Sequence, residues 1–277
     1  MERAKLTPAQ FVGEYERLSE KVGEALRKYL GDPNEQNTRN VRVSVRRMNT
    51  ATGILPKRAR GKEVRQRRDR SKKVLSLTSE IRDNDIIRAK LSRRARDPAV
   101  NLLLKNMAEE REERAANSMK AAWRLFELSR QKLMKNDASR VSVWIRDELE
   151  ELDQEIDAEL SIVVKSEGRI DELHSLRKHV KNFRYALELV PTTKGSSGVL
   201  QGLIEWQDIL GKIRDCDVVI TYLGRARPSP VIREILSAER RRRHRQYLAF
   251  VRACGAAGWK KNSSLLVAAG LKQSSAT

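Results

Sequence analysis

Two stretches of this chain carry the same helical pattern 135 residues apart, and that pattern limits what the chain can become. In the later stretch Leu173, Leu176, Val180, Phe183, Leu187 and Val190 recur at alternating steps of three and four. An α-helix turns once in about 3.6 residues, so this spacing gathers them on one stripe that must be buried against other helices. In the earlier stretch Val41, Val45, Met48, Thr52 and Leu55 form the matching seam. Aligned without a gap, Arg42 falls on Arg177, Arg46 on Lys181 and Pro56 on Pro191. Further on, Ile81-Arg82-Asp83-Asn84-Asp85 falls on Ile213-Arg214-Asp215-Cys216-Asp217, and Glu110 and Arg114 fall on Glu239 and Arg243, at offsets of 132 and 129 residues. Three matches in one order at nearly one offset indicate an internal duplication. The expected fold is all-α, two tandem helical bundles with halves at 1–135 and 136–277.

The rest of the sequence agrees with helices. Only 14 Gly and 7 Pro interrupt 277 residues. Phe11, Val12, Tyr15, Leu18, Val22, Leu26 and Leu30 open the chain at helical spacing, with Pro8 inside the start and Gly31 at the end. Further helices are expected at about 38–55, 62–78, 82–95, 98–134, 139–165, 170–190, 198–212, 215–225 and 229–254, with a break near Asn136-Asp137. Pro191 to Gly198 reads as the clearest linker, and the end from about Ser263 as a fraying tail.

Beside each seam runs a basic stripe. His174, Arg177, Lys181 and Arg184 lie roughly 110° from the seam centre, while Ser175, Lys178 and Asn182 take the outermost face. Arg39, Arg42, Arg46 and Asn49 occupy the corresponding places in the first copy. Charge runs are usually solvated faces. Duplication of this one, and its placement beside the core, favour a shared basic groove in which long side chains lie along apolar surface and present their heads. His174 shares the stripe with three cations and reads equally as a phosphate donor or a structural group.

Two denser basic runs add to the net charge of +20. Between Gln36 and Lys73 stand 14 Lys and Arg against only Glu63 and Asp69. Arg240 to Arg243, His244 and Arg245 form the other run, in which Arg240 and Arg243 share a helix face. Such an excess predicts a polyanionic partner. The acids Asp147, Glu148, Glu150, Glu151, Asp153, Glu155, Asp157 and Glu159 read as a solvated helix face. Asp83/Asp85 and Asp215/Asp217 are expected to begin new helices and cap them, with an adjacent Arg as ion-pair partner; a metal role is the lesser reading. Two cysteines, Cys216 and Cys254, exclude a disulfide scaffold and a Cys-rich zinc site and fit a reducing cytoplasm. No apolar run of about 18 residues suggests a membrane span, and the first residues lack the apolar stretch of a signal peptide.

The segment His174-Ser175-Leu176-Arg177-Lys178-His179-Val180-Lys181-Asn182-Phe183-Arg184-Tyr185 resembles the His-x-x-Arg-x-x-x-Lys-x-x-Arg-Tyr signature of the CHAD family, the conserved histidine α-helical domains. Trp206-Gln207-Asp208-Ile209-Leu210-Gly211 with Arg214-Asp215 is similar to that family's Leu-Gln-x-x-Leu-Gly segment, and Arg42 to Arg47 to its first-half motif. The resemblance spans about residues 8–260. It implies bundles related by pseudo-twofold symmetry, a basic central surface, binding of inorganic polyphosphate and association with polyphosphate granules. By motif match His174, Arg177, Lys181, Arg184, Arg42, Arg46 and Arg47 carry over; Arg39 stands where the first-half histidine is expected. With the stripe and the basic runs, the expected binding set is completed by Lys178, Arg114, Arg240 and Arg243. No Glu-x-Glu-x-Lys motif of the triphosphate-tunnel domain occurs, and no catalytic residue, metal or cofactor is expected. The function expected is non-enzymatic polyphosphate binding. A nucleic-acid-binding helical protein, a metal-dependent polyphosphate-processing enzyme and a docking scaffold are the alternatives. Few aromatics, 5% of the chain, argue against base stacking on single strands.

Overall fold

In the computed structural model, residues 6–57, 60–129, 140–191 and 194–256 are described, and they are helical apart from short connections. In chain order the helices are α1 (Pro8–Gly31), α2 (Glu35–Ile54), α3 (Lys62–Leu91), α4 (Pro98–Leu128), α5 (Val141–Val163), α6 (Ile170–Leu187), α7 (Lys194–Leu223) and α8 (Pro230–Ala256). The all-α expectation holds, and no strand occurs among the described residues. None of the described helices is long and apolar enough to cross a membrane.

Local chemistry sets four of the helix starts. Thr7 and Gln10 form a reciprocal capping box: Gln10 N donates to Thr7 Oγ1 at 3.2 Å and Thr7 N donates to Gln10 Oε1 at 2.9 Å. Asn34 Oδ1 accepts Asn37 N at 2.8 Å to cap α2. Asp97 Oδ1 accepts the Ala99 and Val100 amides of α4, and Ser229 Oγ accepts Ile232 N of α8. Pro98 and Pro230 stand at first helical positions, where a missing N–H costs nothing.

Four expectations are corrected. The segments 62–78 and 82–95 are one helix, α3, followed by a single 3₁₀ turn at Ser92–Arg94. The segments 198–212 and 215–225 are likewise one helix, α7. Nothing in Lys62–Leu91 is Gly or Pro, so the α3 hydrogen-bond ladder runs unbroken through Ser79 and Glu80. Asp83, Asp85, Asp215 and Asp217 therefore lie within helices, where backbone N–H groups are already bonded, and they cap nothing. The linker is also shorter than expected, because α7 begins at Lys194; Thr192 and Thr193, the break at Asn136-Asp137 and the tail from Ser263 lie outside the described residues.

The chain forms two compact units. One consists of Met1–Phe11, Ala138–Arg214 and Arg241–Thr277, the other of Val12–Asp137 and Asp215–Arg240. This division differs from the sequence halves 1–135 and 136–277, because the first residues of α1 group with the unit of α5 and α6, while the C-terminal part of α7 and the N-terminal part of α8 group with α2 to α4 and with α1 from Val12 onward. In that larger unit Ile86 and Leu91 of α3, Val100 and Met107 of α4, Val219 and Leu223 of α7 and Ile232 of α8 share one core. The α2 seam of Val41, Val45, Met48, Thr52 and Leu55 is buried throughout. In the other unit α5 packs on α6. Ile145, Leu149, Leu152, Ile156 and Leu160 of α5 are buried, as is the α6 seam from Leu173 to Val190. Trp206 and Phe250 are also buried, edge-on to one another with ring centres 5.8 Å apart.

Candidate functional site

A cleft of about 650 Å³ opens beside the N-terminal half of α6. Helix periodicity sends His174, Ser175, Arg177 and Lys178 into it from adjacent turns of α6, Asp171 and Glu172 line it from the first turn, Glu159 comes from α5 and Arg214 from α7. Arg177, Lys178 and Arg214 supply the positive charge. Lys178 is exposed, while His174, Arg177 and Arg214 are half-buried. Half-burial lowers the local dielectric and strengthens a charge-assisted hydrogen bond to an incoming anion. No Phe, Tyr or Trp lines the cleft.

The acids of the cleft temper its charge, and one is restrained. Glu159 Oε2 lies 2.9 Å from His179 Nδ1, and His179 Nε2 lies 3.3 Å from Glu155 Oε2. His179 thus bridges two carboxylates one turn apart on α5 and ties α6 to it. The α5 acids were expected to form one solvated face; instead Asp153 is buried and Glu155 and Glu159 grip His179.

The remaining expected site residues have varied surroundings. Lys181 is half-buried farther along α6. Arg184 pairs with Glu188 at 3.1 Å and lies over the Tyr185 ring at 5.1 Å, so its guanidinium is held at the C-terminal end of the helix. Neither lines the cleft, which splits the four-residue stripe into an open half and a packed half. Arg243 is 8% exposed and donates from Nη1 to Glu167 Oε1 at 2.9 Å, while His244 Nδ1 meets Glu167 Oε2 at 2.6 Å.

In the other unit Arg39 and Arg240 are exposed, and Arg46 and Arg47 are half-buried. Arg114 pairs with Glu80 at 3.3 Å and Glu110 at 3.2 Å. Arg42 is 7% exposed, and its guanidinium turns inward to α3. Its Nη1 donates to the Leu75 carbonyl at 2.8 Å and to Thr78 Oγ1 at 2.9 Å. Arg42 and Arg243 are therefore cross-ties within their units. Arg111 was not anticipated: its Nε donates to the buried Asp85 at 2.6 Å, so that the partner of Asp85 comes from α4, while the adjacent Arg82 reaches Glu35 at 2.6 Å. Burial pushes the Asp85 carboxyl above its ordinary range, although the Arg111 hydrogen bond and charge pull the other way. Arg214 is the cleft cation that sequence reasoning assigned only an ion-pair role; its place in the Ile-Arg-Asp repeat was the available signal. Among the described residues no group of three or more His, Cys, Asp or Glu side chains is arranged to hold a metal ion.

These features sit in a chain whose residues 17–224 match the CHAD domain family. The chain belongs to the CHAD family. The crystal structure of the CHAD domain from the plant Ricinus communis superposes on it with a TM-score of 0.60 at 14% identity, covering 98% of this chain and 94% of that one. PptA from Streptomyces chartreusis gives a TM-score of 0.59, also at 14% identity, covering 92% of this chain and 99% of its own. At such identity these two likenesses establish the CHAD fold alone. No curated protein sequence matches the chain.

Proposed function

We propose that this CHAD domain binds inorganic polyphosphate without processing it, and that α6 supplies the centre of the binding surface. The observation that carries the reading is the convergence of His174, Arg177, Lys178 and Arg214 on one cleft in a chain of this family. Polyphosphate is a flexible chain with charge on every phosphate. Cations gain affinity for it by pairing and by releasing its condensed counterions, as they do with nucleic acids. Arginine forks engage two phosphate oxygens at once, and Lys178 adds a mobile point charge. Arg39, Arg46 and Arg47 on α2 are the corresponding phosphate contacts of the other unit. The absence of Phe, Tyr and Trp from the lining favours a polyanion without bases, because single-stranded nucleic acid is ordinarily held by large stacking platforms. Association with long chains places the protein where polyphosphate accumulates, granules included.

Isothermal titration with long-chain polyphosphate tests the reading. The wild-type chain is expected to bind at low salt and to weaken steeply as salt rises. Arg177→Ala/Lys178→Ala/Arg214→Ala, verified as folded by circular dichroism, is expected to bind at least about tenfold more weakly. No binding at low salt, or undiminished binding by that variant, rejects the proposal. Displacement by duplex DNA or RNA at equal phosphate concentration would assign the surface to nucleic acid. Phosphate release with Mg²⁺ that disappears in Asp83 or Asp215 variants would make the protein an enzyme.

A further inference from the structure

A second cleft, of about 510 Å³, lies wholly within the unit built on α1 to α4. Asn34 and Glu35 line it from the start of α2, Asp85 and Arg88 from α3, and Leu104 and Arg111 from α4. Two of these side chains have unmet requirements of opposite kind. Asp85 is 4% exposed; its Oδ1 accepts the Arg111 Nε donor, but its Oδ2 is buried with no hydrogen-bond partner among the described residues. An ionised carboxylate has about four lone-pair sites, so one donor leaves most of its acceptor capacity unused. Arg88 is partly exposed on the same wall, and its guanidinium makes no ion pair or hydrogen bond among the described residues. The other charges of the cleft are engaged. Glu35 pairs with Arg82 at 2.6 Å, and Arg111 spends Nη2 on the Pro33 carbonyl at 2.9 Å as well as Nε on Asp85.

Oδ2 requires a donor and Arg88 requires an anion. One small ligand meets both needs when it is an anion that carries its own O–H. We infer that this cleft is an orthophosphate site, in which a P–OH donates to Asp85 Oδ2 while unprotonated oxygens accept from Arg88. Oδ2 is screened from solvent, so the proposed ligand has to displace side chains of the wall to reach it; Arg88 and Leu104 on that wall are partly exposed. The ligand proton is the selectivity element. Orthophosphate keeps at least one proton throughout the neutral range, whereas sulfate keeps none. Against sulfate the carboxylate faces lone pair with lone pair, and a site built around a hydrogen bond rejects the analogue that cannot make it. Burial pushes the Asp85 carboxyl up, yet Arg111 holds one of its oxygens as an acceptor, leaving the other to read the ligand. This site draws on no residue of the α6 cleft and stands independently of polyphosphate binding.

The test is titration of the full chain with inorganic phosphate, sulfate and glycine at matched ionic strength and pH 6.5. Phosphate is expected to bind at least about tenfold more tightly than sulfate. Arg88→Gln, which removes no contact seen in the fold, is expected to weaken phosphate by at least about tenfold. The Arg177→Ala/Lys178→Ala/Arg214→Ala variant is expected to retain it. Asp85→Asn exchanges one acceptor oxygen for a donor and is expected to narrow the preference for phosphate over sulfate; should that variant fail to fold, the wild-type selectivity and Arg88→Gln still decide. Equal binding of sulfate and phosphate, absence of phosphate binding, or glycine binding in place of phosphate overturns the assignment. So does loss of phosphate in the α6 variant with none in Arg88→Gln, an outcome that leaves the polyphosphate reading intact. Retained phosphate binding with no polyphosphate binding does the reverse.

Discussion

Replacing Arg42 with Met separates a cross-tie from a ligand. Methionine keeps most of the unbranched stem and removes the guanidinium, so α2 still packs while the donors to α3 vanish. Two short bonds are lost, to the Leu75 carbonyl at 2.8 Å and to Thr78 Oγ1 at 2.9 Å, together with a longer and weaker one to Ser79 Oγ at 3.4 Å. Neither acceptor of the short bonds is orphaned. Leu75 lies inside α3, where its carbonyl serves the helix ladder, and Thr78 Oγ1 still donates to the Val74 carbonyl at 2.7 Å. The lower end of the range for charged hydrogen bonds then applies, about 1.5 kcal/mol each, or about 3 kcal/mol together. For a urea slope of about 3 kcal/mol per M this moves the unfolding midpoint down by about 1 M. Polyphosphate titration on the folded variant completes the assay, with affinity expected near wild type. A midpoint shift below about 0.3 M together with lost polyphosphate affinity would refute the reasoning. Arg42 would then be a ligand whose inward bonds contribute little to the fold.

Other outcomes follow from the same contacts. Arg177→Ala alone should make the fall of log affinity with log salt shallower by roughly 0.7 if one phosphate contact is lost, which titration at four salt concentrations reads. Glu167→Gln keeps the shape that Arg243 and His244 grip but removes the charge, and should cost about 2 kcal/mol in urea unfolding. Burial pushes the Cys254 thiol up to about 12, well above an unfolded thiol. Its contribution is fully present below the unfolded value and is lost as pH rises through the folded one, so Cys254→Ala should flatten the alkaline loss of stability above pH ~9 by up to about 1.4 kcal/mol per pH unit. Burial also raises the Cys216 thiol, aided by its hydrogen bond to Glu239, so both native thiols should resist labelling at pH 7 until the chain is unfolded.

How a charge beside a seam is used was much harder to read than the seam itself. Arg39 and Arg42 belong to one stripe, one turn apart, yet Arg39 is exposed and Arg42 buried. About 110° from the seam is a boundary angle from which a long side chain can reach water or fold inward. The choice at Arg42 belongs to the acceptors of α3, which lie 33 and 36 residues away in sequence. The Ile-Arg-Asp repeats show the same difficulty. Their composition suits a helix start, but no Gly or Pro interrupts α3 before Asp83, and the ladder carries through. Asp85 then meets Arg111 across α3 and α4, 26 residues apart, a pairing that no local pattern announces.

What this sequence determines by itself is helical period. Alternating steps of three and four compel Val41 to Leu55 and Leu173 to Val190 into buried stripes, and every seam residue named from the sequence is buried. The CHAD signature on α6 was legible as a resemblance of residue types to the family motif, and period placed its basic side chains beside the seam without saying which of them would line the cleft. Tertiary packing decided the rest. It assigned the second part of α7 and the first part of α8 to the unit of α1 to α4. It also placed Arg214 beside Arg177 and Lys178, and left Asp85 Oδ2 and Arg88 on one cleft. Period is set by neighbours along the chain, whereas the fate of a charge is set by whichever acceptors and donors the fold brings to it.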